Sequence, residues 1–271
     1  MRIASLALLI LVMADAQAQS PSFEDFRQAF IAGDVQQVDA LLKASGNRPP
    51  VDQDRVTVLH KSIHIYSSNR IAIVERLIAA RLDVNASAKD GRTPLHWAAN
   101  FDCANCAALL LKAGAQVSAR NEDGDTPLHG AGRDVVPLLL KAGGDPMAKN
   151  NEGNVPLHRI SHDALLVAGV NVRNPAGLTP LHYAALAGNE HAIEWLLSKG
   201  ADPEAKTTAA YRYRASFMSK EFGPGDEVPA ASRPLDLAKM QHSHSRWSTG
   251  AHQKSVEALE KVTKRKGWFS R

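Results

Sequence analysis

Apolar positions recur along this chain at helical spacing, in short segments separated by polar turns. Phe23, Phe26, Phe30 and Ile31 fall on one helical face, and Val35, Val38, Leu41 and Leu42 repeat the pattern after Gly33-Asp34. Ile63, Ile71, Val74, Leu77 and Ile78 form a further set, preceded by the loop Arg48-Pro49-Pro50. Three later runs end alike: Leu109-Leu110-Leu111-Lys112-Ala113-Gly114, Leu138-Leu139-Leu140-Lys141-Ala142-Gly143 and Trp195-Leu196-Leu197-Ser198-Lys199-Gly200. Lysine and then glycine is a favoured helix ending, since lysine suits the dipole and glycine the left-handed cap. Val256, Leu259 and Val262 give a last helix its stripe. The pattern predicts a series of short paired helices.

A tetrapeptide marks the start of each pair. Thr-Pro-Leu-His occurs at Thr93–His96, Thr126–His129 and Thr179–His182, with a near-copy at Val155–His158. Looser relatives stand at Thr57–His60 and Arg233–Asp236. In the four closest copies a glycine lies two residues upstream: Gly91, Gly124, Gly153 and Gly177. Threonine is a good helix N-cap, and proline fits the first helical position, where its missing N–H costs nothing. The leucine points to the core, and the histidine is placed to tie one repeat to its neighbour by hydrogen bonds. No single unit can bury its apolar face alone, so stacking supplies the core.

These motifs resemble the ankyrin repeat, over nearly everything from Phe23 to about Lys266. The resemblance implies an all-α solenoid of roughly six to seven helix-turn-helix units. The motif leucines Leu95, Leu128, Leu157 and Leu181 are separated by 33, 29 and 24 residues, so the two middle repeats are shortened. Gly130-Ala131-Gly132-Arg133 leads almost at once into the next helix, which predicts the shortest inner helices in the units starting at Thr126 and Val155. A notch there is read as irregularity rather than as a site.

The expected organisation is a signal peptide at 1–18, repeats with an N-terminal cap at 19–205, an insertion at 206–232, and a last repeat with a basic tail at 233–271. Arg2, the apolar run Ile3 to Met13 and Ala16-Gln17-Ala18 carry the first of these. That run is too short to span a bilayer. A short signal on a compact chain suggests a Gram-negative bacterial source and hence the periplasm. The net charge of +4 is concentrated at the end, in Lys254, Lys261, Lys264, Arg265, Lys266 and Arg271. Such a tail is either a solvated cap or a contact for an anionic surface.

Candidate chemistry is sparse. Cys103 and Cys106, the only cysteines, form a Cys-x-x-Cys at a helix start. Two readings stay open: a small structural disulfide, or two reduced cysteines acting as core. His96, His129, His158, His182 and His60 are motif residues. His242 and His244 could bind a metal, but a polar loop accounts for them, and no metal or cofactor is expected. Tyr211-Arg212-Tyr213-Arg214 alternates aromatic and basic residues, as nucleic-acid binders do. Export argues against that partner, and a strand-like insert folding onto the solenoid is more economical. Asn85-Ala86-Ser87 is a glycosylation sequon, relevant only in a eukaryote. No nucleophile elbow, phosphate loop or metalloprotease helix is present.

The resemblance implies a non-catalytic protein that binds a protein partner through a concave face. Its turn tips map to Lys89, Asp90, Arg92, Glu122, Asp123, Asp125, Asn151, Glu152, Asn154 and Leu178. Its inner-helix part maps to Trp97, Asn100, Phe101, Arg133, Tyr183 and Leu186. The acidic central tips call for a basic patch on the partner. Other functional classes are an immunity-type inhibitor of a toxic periplasmic enzyme, or a metal or redox accessory protein.

Overall fold

The computed structural model describes residues 20–160, 162–212, 227–244 and 249–266. Residues 1–18, expected to be a signal peptide, Tyr213-Arg214 and the tail beyond Lys266 lie outside them. So do the side chains of His242, His244 and His252. The chain divides into two compact units between Gln116 and Val117.

The N-terminal unit holds α1 (Phe23–Ala32), α2 (Val35–Ala44), α3 (Val58–His64), α4 (Arg70–Ala79), α5 (Pro94–Asn100) and α6 (Ala104–Lys112). Each pair is an inner and an outer helix. Inner α1, α3 and α5 pack in succession, and so do outer α2, α4 and α6. Phe26, Phe30, Val38, Leu59, Ile63, Val74, Leu77, Leu95 and Leu110 fill the layer between them. Ser22 caps α1 with a full capping box, and Asp34 caps α2.

In the C-terminal unit the shortened repeats appear as expected. The inner segments are single 3-10 turns, Pro127–Gly130 and Pro156–His158. Their outer segments are α7 (Val136–Lys141) and a 3-10 stretch, Asp163–Ala168. Full pairs resume with α8 (Pro180–Leu186) and α9 (Glu190–Ser198), then α10 (Pro234–His244) and α11 (Thr249–Lys266). Leu181, Ile193, Leu196, Leu235, Ala238 and Leu259 form one core across these four helices. Between the two pairs β1 (Tyr211–Arg212) pairs antiparallel with β2 (Glu227–Val228), so the insertion does return as a strand. Both units are all-α repeat stacks, apart from this small hairpin and one isolated bridge, Val51 to Thr57, among the described residues. No described helix is long and apolar enough to cross a membrane.

The turn before each motif is closed by the residue five positions upstream. Asn121, Asn150 and Asn174 each accept, through Oδ1, the backbone N–H four residues on, at Asp125, Asn154 and Leu178. In the last repeat the same closure runs from Thr207 to Ser232, whose N–H donates to the Thr207 hydroxyl at 3.0 Å. The insertion is thus a turn opened at its tip. Gly177 shows how tightly these turns stack: φ is +81°, and a Cβ there would lie 2.7 Å from the Thr208 backbone nitrogen. Gly177→Ala is expected to cost at least about 1–3 kcal/mol of stability by urea unfolding, from strain alone. Gly143, at φ +89° with nothing within 4 Å, is the control that carries the backbone strain without the clash. Equal losses at the two positions would refute the role of the contact.

Candidate functional site

The motif histidines are committed to stacking. Their Nδ1 atoms accept backbone N–H groups, from Val155 to His158 at 3.1 Å and from Thr179 to His182 at 3.0 Å. Nε2 then carries the proton and donates to a carbonyl of the following repeat. His60 reaches Arg92 at 3.0 Å, His129 reaches Asn154 at 3.1 Å, and His182 reaches Ser232 at 3.1 Å. Burial pushes His60, His158 and His182 down to about 4. These rings are neutral at pH 7 and are not free for acid–base work.

A second network ties the turns of the C-terminal unit together. Asn150 donates to Asp125 at 2.7 Å, and Arg159 binds the other Asp125 oxygen. Asn154 bonds Glu152 at 3.0 Å and the Tyr183 hydroxyl at 2.8 Å, and Asn174 donates to Asn154 at 3.0 Å. Burial works against the Arg159 charge, but Asp125 and Glu152 more than offset it and raise its pKa. Every polar group here already has a protein partner, so the network is internal scaffolding.

These contacts divide the expected site residues. Lys89, Asp90, Glu122, Asp123, Arg133 and Asn151 are exposed, and Arg92, Trp97, Asn100, Phe101 and Glu152 are partly exposed. Arg92 sits 3.5 Å from Asp90, and Asn151 donates to the Glu122 carbonyl. Asp125, Asn154, Leu178, Tyr183 and Leu186 are buried, which corrects their placement on an accessible face. Asp125 and Asn154 are consumed by the network. Leu178, Tyr183 and Leu186 pack with Val228 of β2 and Leu237 of α10 in one apolar cluster. The insertion, on its return, fills the face that Tyr183 was expected to present.

In the N-terminal unit the equivalent face is open. Trp97 and Phe101 have ring centroids 6.0 Å apart, and His64 meets them at 5.9 and 4.9 Å. His60 stands edge-on to Trp97 at 5.5 Å. Just beyond α3, Tyr66 is 75% exposed, with the Arg70 guanidinium 5.1 Å from its ring centroid. Sequence reasoning missed His64, Tyr66 and Arg70. The signal was available, since His64 holds the place in its repeat that Asn100 holds in the next.

Cys103 and Cys106 form a disulfide at the start of α6, where Cys103 is the N-cap. Both are buried, at 3% and 0% exposure, as a structural pair is. No group of three or more His, Cys, Asp or Glu side chains suited to a metal occurs among the described residues. The Asn85 side chain is taken up by the Gly114 carbonyl and the Gln116 N–H, and Asn171 does the same one unit on, at Gly200 and Asp202. The sequon asparagine therefore acts as a brace between repeats.

A family model described as "Ankyrin repeats (3 copies)" matches residues 26–121, 63–150 and 130–207. No curated protein matches the chain. Those matches take in most of the chain, on the same motif turns, histidine ties and paired helices, and the chain belongs to the ankyrin-repeat family.

Proposed function

We propose that this chain is a periplasmic binding protein that recognises a protein partner through the inner-helix face and turn tips left open by its own packing. Ankyrin-repeat proteins are typically non-catalytic scaffolds for protein–protein interaction. The observation that carries the reading is the partly exposed Trp97–Phe101 pair beside His64, since aromatic anchors dominate binding energy. The contact residues are Lys89, Asp90, Trp97, Asn100 and Phe101 in one unit, and Glu122, Asp123, Arg133 and Asn151 in the other. The periplasmic address rests on residues 1–18 alone, and release of the protein by osmotic shock tests it. An immunity-type inhibitor is one form such binding takes, and a toxic enzyme encoded alongside would single it out. A metal or redox role has less support, since both cysteines are buried and paired. The basic tail is a further contact for an anionic surface, although Lys254 and Lys264 lie near Glu190 and Glu260.

Trp97→Ala is expected to weaken partner binding by about 2 kcal/mol or more, with a smaller effect on unfolding free energy. Calorimetric titration with the partner captured from source cells, beside urea unfolding of the same variant, checks it. Normal affinity in a destabilised variant would move Trp97 from the site to the core.

A further inference from the structure

We infer that the open aromatic face of the N-terminal unit takes an acidic, aromatic-bearing segment of the partner protein. This rests on the binding role proposed above and names the partner's chemistry at one place. The first observation is charge. From Val58 to Arg70 the chain has the cations Lys61 and Arg70 and no acidic residue, and α5 carries no carboxylate, lysine or arginine. Burial lowers the His64 pKa and Lys61 lowers it further, so that ring adds no charge near pH 7. Lys61 itself acts on Glu24 of α1, which leaves Arg70 as the cation without a carboxylate neighbour of its own segment. Asp102, in the turn after Phe101, is engaged in an interaction of its own. The sign here is opposite to that of the exposed tips Glu122 and Asp123.

The second observation is a pair of unmet donors. Ser67 Oγ and Arg70 Nη1 are buried without a hydrogen-bond partner. Native structures rarely leave such atoms unpaired, and each one needs an explanation. Ser67 sits in the turn between α3 and α4 and Arg70 opens α4, and the Tyr66 ring lies beside the guanidinium. Tyr66 is 75% exposed, so its ring can swing without disturbing the core. A carboxylate arriving there accepts from Arg70 and Ser67 together, in the charge-assisted geometry that guanidinium favours. The Trp97, Phe101 and His64 rings, reached along the chain two residues before Tyr66 at His64, offer an aromatic or apolar neighbour of that carboxylate an edge or face to pack on. The occupant is therefore a short segment alternating carboxylate and aromatic side chains.

The test uses the full chain and two labelled peptides, one alternating glutamate with phenylalanine and the other with lysine in place of glutamate. Fluorescence anisotropy is expected to show binding of the glutamate peptide alone, weakening as salt rises. Arg70→Gln is expected to lower its affinity about tenfold, the loss of one charge-assisted pair. Lys61→Gln is expected to reduce the salt dependence, and circular dichroism confirms that each variant folds. Binding of the lysine peptide in preference, or glutamate-peptide affinity untouched by Arg70→Gln, overturns the inference. So does failure of both peptides to bind. In that case a native partner still dependent on Trp97 leaves the broader binding role standing, whereas a partner indifferent to Trp97 removes both.

Discussion

Acidification from about pH 7 to about pH 5 is expected to destabilise the fold by several kcal/mol, well before the carboxylates titrate. His60, His158 and His182 have folded-state pKa values near 4 against an ordinary 6.5, because burial penalises the imidazolium. The unfolded chain therefore takes up protons first as pH falls below 6.5. The histidine contribution is fully present above that value and is lost progressively towards 4. A displacement of this size is worth on the order of 3 kcal/mol per ring once the pH has passed both values. His129 is shifted the same way. The Nε2 bonds to carbonyls work against burial without overcoming it, while a protonated Nδ1 would face the backbone N–H it now accepts from. Against a total stability of about 5–15 kcal/mol, this loss is large. Urea midpoints measured across the range check it. A flat profile between about pH 7 and about pH 5 would show that the rings are hydrated or already charged.

Tyr183→Ala is expected to cost about 3–5 kcal/mol of fold stability, more than Trp97→Ala at the equivalent repeat position. Tyr183 is 4% exposed, stands edge-on to His158 at 5.6 Å and shares a cluster with Leu178, Leu186, Val228 and Leu237. Its hydroxyl also joins Asn154 to Asn174. Tyr183→Phe keeps the ring and leaves those amides short of a partner, at a cost of about 1–3 kcal/mol. Urea unfolding of Trp97→Ala, Tyr183→Ala and Tyr183→Phe under one condition ranks them. A Tyr183→Ala protein no less stable than Trp97→Ala would mean that the return strand does not seal the face.

Much of this architecture was legible in the chain. A threonine cap, a proline at the first helical position, a core leucine and a tying histidine are local instructions, and their repetition required a stack. Spacing alone located the shortened inner segments, because Gly130-Ala131-Gly132-Arg133 leaves no room for a full helix after Pro127. The insertion at 206–232 was also visible as a break in periodicity. What it covers was not. Trp97 and Tyr183 stand four residues beyond their motif threonines and read identically, yet one is partly exposed and the other buried. Asp125 and Asn154 likewise read as solvent-facing tips until the asparagine and arginine side chains of neighbouring turns reach them. Local rules fix backbone conformation within a repeat, where the interacting groups are a few residues apart. Exposure depends on which distant segment returns to cover a face, and Val228, far from Tyr183 along the chain, settled that for the C-terminal unit only once both were folded.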